Sequence, residues 1–226
     1  STRVKSIWLP DRLLVYNWFM GINHAIESLM AKRKIFHSEA DFQFAFAWEI
    51  QLLNPSAQVR LEYSPASISP TMHIDIVVQL NDEIIPIELK YLKKKLQHQE
   101  NDEQFILRDN GAQDISRYDI LKDLQRLERL KQDLAGVKCG YALVLSNHPS
   151  YWKTSSNRDT IDHEFRLDEG KTITGRLTWD ETAGPGTTKG REMPIDISGQ
   201  YSIKWKDYSK LNDTTSGTFR YLLLTV

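Results

Sequence analysis

The stretch HIDIVVQLNDEIIPIELK, residues 73–90, decides the fold. It holds two runs rich in β-branched and other apolar residues, 73–80 and 84–90, and each is long enough for a strand. Between them stand Asn81 and Asp82, residue types that are common in tight turns. We therefore expect a β-hairpin at this point of the chain.

The turn determines which residues of the two strands face each other. If the two residues between the runs form the loop, Leu80 pairs with Glu83, and counting back places Asp75 directly opposite Glu88. Opposed side chains have Cβ atoms about 5 Å apart, so the two carboxylates repel unless one is protonated or a cation lies between them. A divalent metal ion is the simplest remedy, and magnesium prefers one or two carboxylates together with several waters.

Lys90 lies two residues after Glu88, on the same face of the second strand. Its amine could hold or deprotonate a nucleophilic water, because a crowded cationic site can lower the pKa of a lysine toward neutrality. Two alternatives stay open. Pro86 cannot donate to a ladder, so a bulge there would shift the register by one and separate the carboxylates. The charged side chains could also simply line the solvated face of a hairpin.

An acidic residue stands at the start of the preceding helix predicted from the sequence. Ser38 is a good N-cap, and the helix should run to about Leu53 and stop before Pro55. Glu39 lies near the middle of the apolar stripe of this helix, so the face that meets the core carries its carboxylate. We predict Glu39 as the fourth member of the site. An ordinary first-turn charge is the alternative, and Glu49, at the edge of the same stripe, is a rival.

The rest of the chain alternates between helical and extended patterns. Apolar spacing predicts helices over 11–34 and 113–134, and strands over 59–63, 139–145, 173–179, 201–205 and 219–226. The charged stretch 93–109 and the segment 182–190 are expected to be loops. We expect two units, which are a core with its N-terminal helix over 1–150 and a β-rich extension over 151–226 that packs on it.

Composition excludes several classes of protein. The 226 residues carry a formal net charge of -1 and are 40% hydrophobic, as in an ordinary globular protein, so any phosphate-binding surface must be local. The single cysteine, Cys139, stands in an apolar run and should pack in the core, and neither an internal disulfide nor a cysteine-ligated zinc cluster can form. The apolar runs are shorter than a membrane span and the start shows no signal-peptide pattern, so we expect a cytoplasmic protein.

In order and spacing these elements resemble the PD-(D/E)XK nuclease superfamily, which has the restriction-endonuclease-like fold. The family pattern is an acidic residue on an early helix, an aspartate on one strand, Glu-x-Lys on the next strand, and then a helix and a further strand. The chain offers Glu39, Ile74-Asp75-Ile76 and Ile87-Glu88-Leu89-Lys90, followed by the 113–134 helix and the 139–145 strand. The likeness covers 36–146, although His73-Ile74 stands where the family has a proline before the aspartate. Each motif is short, so the specificity comes from their order and context.

The resemblance implies an α/β protein with a restriction-endonuclease-like α/β/α core, in which helices flank a central mixed sheet and a β-rich C-terminal extension follows. It also implies a magnesium site, with manganese as a substitute. Asp75 and Glu88 would be metal ligands, the Leu89 carbonyl would join them, and Glu39 would act directly or through water. Lys90 would position or activate the attacking water.

The implied reaction is hydrolysis of phosphodiester bonds that leaves a 5′ phosphate, in DNA rather than RNA by analogy with the superfamily. Gln113 matches the polar residue that members often carry on the helix after Glu-x-Lys, although a solvated helix-start amide is as good a reading. Arg117 and Tyr118 would face the same cleft. Three consecutive lysines could hold the nucleic-acid backbone, or form a solubilising loop: Lys93, Lys94 and Lys95.

The wider interactions of the chain are less constrained by its sequence. Cleavage of both strands would favour a homodimer, and no membrane or protein partner follows from the sequence. Aromatic residues of the C-terminal third could stack on bases, but we expect them to pack in the interior: Trp152, Trp179, Tyr201, Trp205 and Tyr208. The alternative function is a catalytically inactive nucleic-acid-binding or protein-interaction module on the same fold.

Overall fold

Helices pack on both faces of a six-stranded sheet in the computed structural model, which describes residues 11–65, 72–155 and 160–226. The α-helices are α1 (Asp11–Lys32), α2 (Glu39–Leu53), α3 (Gln113–Asp133) and the short α4 (Pro185–Thr188). The strands are β1 (Gln58–Tyr63), β2 (Ile74–Leu80), β3 (Glu83–Leu92), β4 (Leu96–Glu100), β5 (Glu103–Leu107), β6 (Tyr141–Ser146), β7 (Thr172–Leu177), β8 (Ile195–Ser202), β9 (Trp205–Lys210) and β10 (Thr218–Thr225).

The strand order of the main sheet is β1-β2-β3-β6-β10-β9. Its neighbouring strands run antiparallel except β3 and β6, which are parallel because α3 carries the chain back between them. β9 and β10 of the C-terminal third belong to this same sheet, whereas β4 with β5 and β7 with β8 form separate hairpins. The protein is therefore mixed α/β with a central mixed sheet. No helix in the described ranges combines the length and apolarity needed to cross a bilayer.

Two hydrophobic cores lie on opposite faces of the sheet. α1, α2 and the β4–β5 hairpin contribute to one core, in which Ile87 and Leu89 of β3 are buried. α3 and the β7–β8 hairpin contribute to the other core, in which Val77 of β2 is buried. Because side chains alternate along a strand, Glu88 and Lys90 must point toward α3. The sheet thus directs the charged residues of β3 to one of its two faces.

The hairpin of residues 73–90 forms with the predicted register. Leu80 pairs with Glu83, and the pairing continues without a shift past Pro86. The amide of Ile84 donates to the Gly136 carbonyl, so the even-numbered nitrogens of β3 point away from β2. The ladder between β3 and β6 begins only beyond Pro86, which therefore stands where no backbone donor is needed.

Three expectations about secondary structure are wrong. The charged stretch 93–109 is not a loop but contains the β4–β5 hairpin, because its apolar side chains turn into the first core: Leu96, Phe105 and Leu107. The segment 182–190 contains α4. The predicted strand 201–205 is broken, since β8 ends and β9 begins within it. The other predicted helices and strands are confirmed to within about two residues at each end.

Glu49 joins α1 to α2 and takes no part in the predicted site. Its carboxylate is 3% exposed and accepts hydrogen bonds from Ser28 Oγ (2.6 Å) and Lys32 Nζ (2.6 Å). Burial alone would raise the pKa of Glu49, but the hydrogen bonds from Lys32 and Ser28 outweigh it and hold the pKa below its ordinary value of 4.5. The rival reading of Glu49 as the acidic member of the site is therefore wrong.

We expect Glu49→Gln to lower the free energy of unfolding by about 1 to 2 kcal/mol at pH 7, because it removes the negative charge that accepts three partly buried hydrogen bonds from Ser28 and Lys32. The folded-state pKa is lowered, so this stabilisation is present above the unfolded pKa of 4.5 and is lost as the pH falls through the folded pKa. Urea unfolding at pH 7 and in steps below pH 4.5 measures the difference. The exposed Glu27→Gln on α1 is the control. If the free energies of unfolding of the wild type and of Glu49→Gln differ by the same amount at every pH, the assignment is contradicted.

Candidate metal centre

The pairing of β2 with β3 stops where the predicted site begins. The last paired residues are Ile76 and Ile87, one position before Asp75 and Glu88. Beyond them, Asp75 Oδ2 accepts a hydrogen bond of 2.6 Å from the Leu89 amide, in place of a backbone carbonyl. Burial raises the pKa of Asp75, although the Leu89 amide and the charge of a neighbouring lysine act against it. The side chain of Asp75 therefore holds the two strands together at the point where their ladder ends.

β1 is distorted beside Asp75. Glu62 has a φ of 48°, a left-handed conformation that is uncommon for a residue with a side chain. Gln43 of α2 holds this distortion in place, because its side-chain amide donates to the Asp75 carbonyl (2.7 Å) and to the Glu62 carboxylate (2.9 Å). The backbone carrying Asp75 is thus fixed from both neighbouring elements.

Glu88 is buried between β3 and α3, with 2% of its surface exposed. Its Oε1 accepts a hydrogen bond from Arg126 Nε at 2.9 Å and forms an ion pair with Nη2 of the same guanidinium at 2.6 Å, while its Oε2 has no hydrogen-bond partner in the described part of the chain. Burial raises the pKa of Glu88 well above its usual range, the negative charge of Asp123 adds to this effect, and Arg126 opposes it. A buried carboxylate oxygen without a partner is unusual in a folded protein and indicates a missing cation or proton donor.

Lys90 points to the same side and lies 3.2 Å from Asp123 Oδ2. Burial alone would lower the pKa of Lys90, but the charges of Asp123, Asp75 and Glu39 outweigh it and raise the pKa. The described residues thus favour the protonated form of Lys90, which suits it to holding an anion or a water. Removal of a proton by Lys90, expected from the sequence, stays a prediction.

Glu39 reaches the site from the N-terminus of α2. Ser38 caps that helix, as predicted, by accepting from the Asp41 amide at 3.1 Å. Glu39 Oε2 accepts a hydrogen bond of 2.7 Å from the Tyr91 amide, one residue beyond Lys90. Burial raises the pKa of Glu39, while the Tyr91 amide and Lys90 lower it. The four residues predicted from the sequence are therefore gathered at one end of the β2–β3 pair.

Two further members, Asp123 and Arg126 of α3, were not predicted. Arg126 donates to Asp123 Oδ1 through Nη2 and to Glu88 Oε1 through Nε, both at 2.9 Å, so the guanidinium joins both carboxylates. Asp123 is 8% exposed. The only sequence signal is an acid and an arginine three residues apart on a helix, and such pairs are common on solvated helix faces. Identifying them requires the packing of α3 against β3.

Three residues predicted for the site or its cleft lie elsewhere. Gln113 contacts His148 at 3.3 Å, and it precedes Asp123 by ten residues of α3, which is about 15 Å along the helix axis. Arg117 is 4% exposed, forms an ion pair with Asp162 and donates to a backbone carbonyl. Tyr118 is 3% exposed, and its hydroxyl donates to a carbonyl of the chain. Arg117 and Tyr118 are interior residues and cannot contact nucleic acid in this conformation.

Of the remaining residues discussed from the sequence, the lysines after β3 stay at or near the surface, whereas the aromatic residues of the C-terminal third pack in or against the two cores. Lys93 and Lys94 are half-buried and Lys95 is exposed, and all three follow directly after β3. The charge of Lys93 lowers the pKa of Glu39, which indicates that it lies near the site. The aromatic residues of the C-terminal third pack in or against the α3 and α1–α2 cores, as expected: Trp152, Trp179, Tyr201, Trp205 and Tyr208. Cys139 is buried, also as expected.

The charges of the site fit a divalent cation. The carboxylates of Glu39, Asp75, Glu88 and Asp123 lie near one another, and burial and their mutual repulsion raise the pKa of the first three. Within the described ranges, no group of three or more His, Cys, Asp or Glu side chains is arranged to hold a metal ion. Magnesium does not require such a group, because it takes one or two carboxylates and keeps several waters. Carboxylates are the ligand type that Mg²⁺ takes, and the unpartnered Oε2 of Glu88 is the oxygen that such an ion could approach.

Comparison of the chain with protein-family models, with curated proteins and with solved structures returns no match. The assignment of a function therefore depends on the geometry and chemistry of the site itself.

Removing the guanidinium of Arg126 should destabilise the fold, because Arg126 is the cation that pairs with Glu88. We expect Arg126→Ala to lower the free energy of unfolding by about 3 kcal/mol, because it leaves a buried carboxylate without its hydrogen-bonded cation. Glu88→Gln in the same chain should recover most of this loss. Urea unfolding of the two single variants and the double variant measures the coupling. Arg129→Ala, at an exposed position of α3, is the control. Additive losses in the double variant would show that Arg126 does not balance Glu88.

Proposed function

We propose that this protein is a metal-dependent nuclease that hydrolyses phosphodiester bonds, most readily in DNA, and that its core is restriction-endonuclease-like. One observation carries the proposal. Carboxylates from α2, β2 and β3 converge beside Lys90, and one buried oxygen among them, Glu88 Oε2, has no partner in the described chain. Such an excess of buried negative charge beside a lysine suits a magnesium ion and a phosphate.

The arrangement of elements supports the restriction-endonuclease-like reading. Along the chain come a helix with Glu39, a strand with Asp75, a strand with Glu88 and Lys90, then α3 and β6. β3 lies between its antiparallel partner β2 and its parallel partner β6, which places the Glu-x-Lys strand inside the sheet. The β4–β5 hairpin is an addition to this pattern, inserted between the Glu-x-Lys strand and the following helix.

The proposed mechanism assigns a task to each group. Asp75 and Glu88 would hold Mg²⁺, with help from the Leu89 carbonyl and from Glu39, directly or through water. When bound, the ion lowers the pKa of a water and screens the charge that builds on the phosphate. Lys90 keeps its proton and holds the attacking water or a phosphate oxygen in position through hydrogen bonds. Arg126, which is 28% exposed on its side chain, supplies a second positive charge at the edge of the site.

One observation favours the alternative, a binding module without catalysis. Arg126 already neutralises Glu88, and Lys90 already contacts Asp123, as they would in a purely structural ion cluster. A module of this kind would bind nucleic acid or a protein without cleaving anything. Cleavage and binding assays on the same variants separate the two functions.

Plasmid, single-stranded DNA and RNA should be incubated with the wild type in Mg²⁺, in Mn²⁺ and with a chelator. We expect cleavage of DNA that needs the metal and leaves 5′ phosphates, and a loss of at least about 100-fold in Glu88→Gln and Lys90→Ala. The matched controls are Glu83→Gln on the same strand and the exposed Lys122→Ala, which should cleave normally. Absence of cleavage in every condition, or equal cleavage by all variants, would refute the nuclease. Retained DNA binding without cleavage would support the alternative.

The lysines after β3 give a separate test of where DNA lies. Replacing Lys93, Lys94 and Lys95 together by alanine should weaken DNA binding to a similar extent for all sequences. It should also reduce the slope of log affinity against log salt by up to about 0.9 for each phosphate that is no longer neutralised. Filter binding between low and moderate salt measures both quantities. A triple variant on α3, with alanine at Lys122, Arg129 and Lys131, removes the same charge elsewhere and should leave the slope unchanged. Equal slopes in the two triple variants would show that Lys93, Lys94 and Lys95 do not contact the DNA phosphates.

A further inference from the structure

Asp123 is a residue of α3 that the proposed mechanism does not use, although it stands inside the site. Its side chain is 12% exposed, and its charge is the largest electrostatic contribution that the structure places on Glu88 and on Lys90. Its Oδ1 accepts from Arg126 Nη2 at 2.9 Å, and the Oε1 of Glu88 accepts from Nε of the same guanidinium at 2.9 Å. The two carboxylates are therefore direct neighbours across the β3–α3 interface.

Each of these two carboxylates has one oxygen bound to Arg126 and one that is not. Glu88 Oε2 and Asp123 Oδ2 are buried, and neither has a hydrogen-bond partner in the described chain. Asp123 Oδ2 has only the charge of Lys90 Nζ at 3.2 Å. The charge of Asp123 repels that of Glu88 and so raises the pKa of Glu88. A divalent cation between the two carboxylates would remove that repulsion.

We propose that Asp123 is a metal ligand and that the ion bridges Glu88 and Asp123, which fastens α3 to β3. This inference rests on the proposed function and deepens it, because it adds a ligand from α3 to the ion that Glu88 holds. Asp75 would then act on the ion through a bound water, since no three carboxylates of the described residues are placed to hold one ion together. Arg126 keeps its place on the outer oxygens and neutralises the remaining charge. Its double contact positions the two carboxylates before the ion binds.

Metal binding at Asp123 would also release Lys90 from its ion pair with Asp123. Without an ion, the ammonium of Lys90 is held by Asp123. Once Asp123 binds a divalent cation, the attraction between Asp123 and Lys90 weakens, and the ammonium is available for a phosphate oxygen or a water. Metal binding and the positioning of Lys90 are thus coupled through one carboxylate.

Manganese alone is the probe, because the electron paramagnetic resonance signal of free Mn²⁺ reports binding without any activity. We expect Asp123→Asn to weaken Mn²⁺ binding by about 10-fold or more, as Glu88→Gln does. Asp133→Asn, at the exposed end of α3, makes the same chemical change outside the site and should bind Mn²⁺ normally. Circular dichroism and urea unfolding confirm that each variant is folded.

The outcomes separate this inference from the nuclease proposal. If the wild type binds Mn²⁺ and cleaves DNA, and Glu88→Gln does neither, while Asp123→Asn binds Mn²⁺ like the wild type, the bridge is refuted and the nuclease stands. A wild type that neither binds Mn²⁺ nor cleaves refutes both. If Asp123→Asn does not fold, Asp123→Glu takes its place in the test, because it keeps the charge and moves the carboxylate by one methylene. A changed Mn²⁺ affinity in that variant supports the bridge, and an unchanged affinity refutes it.

Discussion

The carboxylate of Glu88 is enclosed between a central strand and a helix, and its charge must be balanced inside the protein. An isolated charge in such a place would cost several kcal/mol, so the surrounding elements have to supply cations. α3 provides this cation in Arg126, whereas Lys90 of β3 pairs with Asp123. This requirement fixes which face of α3 meets the sheet, because the guanidinium has to reach Glu88 while the leucines of the same helix fill the second core.

The site lies where regular structure ends. The β2–β3 ladder stops just before it, a side chain replaces a backbone acceptor at Leu89, and Glu62 adopts a left-handed conformation next to it. Backbone departures of this kind cost of order 1 to 3 kcal/mol and persist only when neighbouring groups hold them, as Gln43 does here. The divergence of the strands allows Glu39, from the α2 side of the sheet, to approach residues that face α3.

The sequence was sufficient for the hairpin and for its register as far as Ile76 and Ile87, because both depend on local signals: a two-residue turn and an alternation of period two. Asp75 and Glu88 lie one position beyond the last pair and are not partners in the ladder. The sequence was also sufficient for Glu39, through a helix cap and an apolar stripe. It failed for Asp123 and Arg126, whose role arises only when α3 packs on β3. It failed for the β4–β5 hairpin too, since the charges of 93–109 obscure three apolar residues. Arg117 and Tyr118 look like surface residues in the sequence, but the C-terminal third of the chain covers them.

A structural ion cluster and a metal centre differ in what they leave unsatisfied. If stability alone had shaped this interface, apolar residues of similar volume would serve as well as a buried Glu88, Asp123 and Arg126. A cluster retained for structure should also close its hydrogen bonds, since an unpaired buried oxygen costs more than the bond would contribute. Here Glu88 Oε2 has no hydrogen-bond partner in the described chain, and Asp123 Oδ2 has only its ion pair with Lys90 at 3.2 Å. Stability alone does not account for an interface that is left incomplete in this way, which supports the proposal that a cation binds at this oxygen.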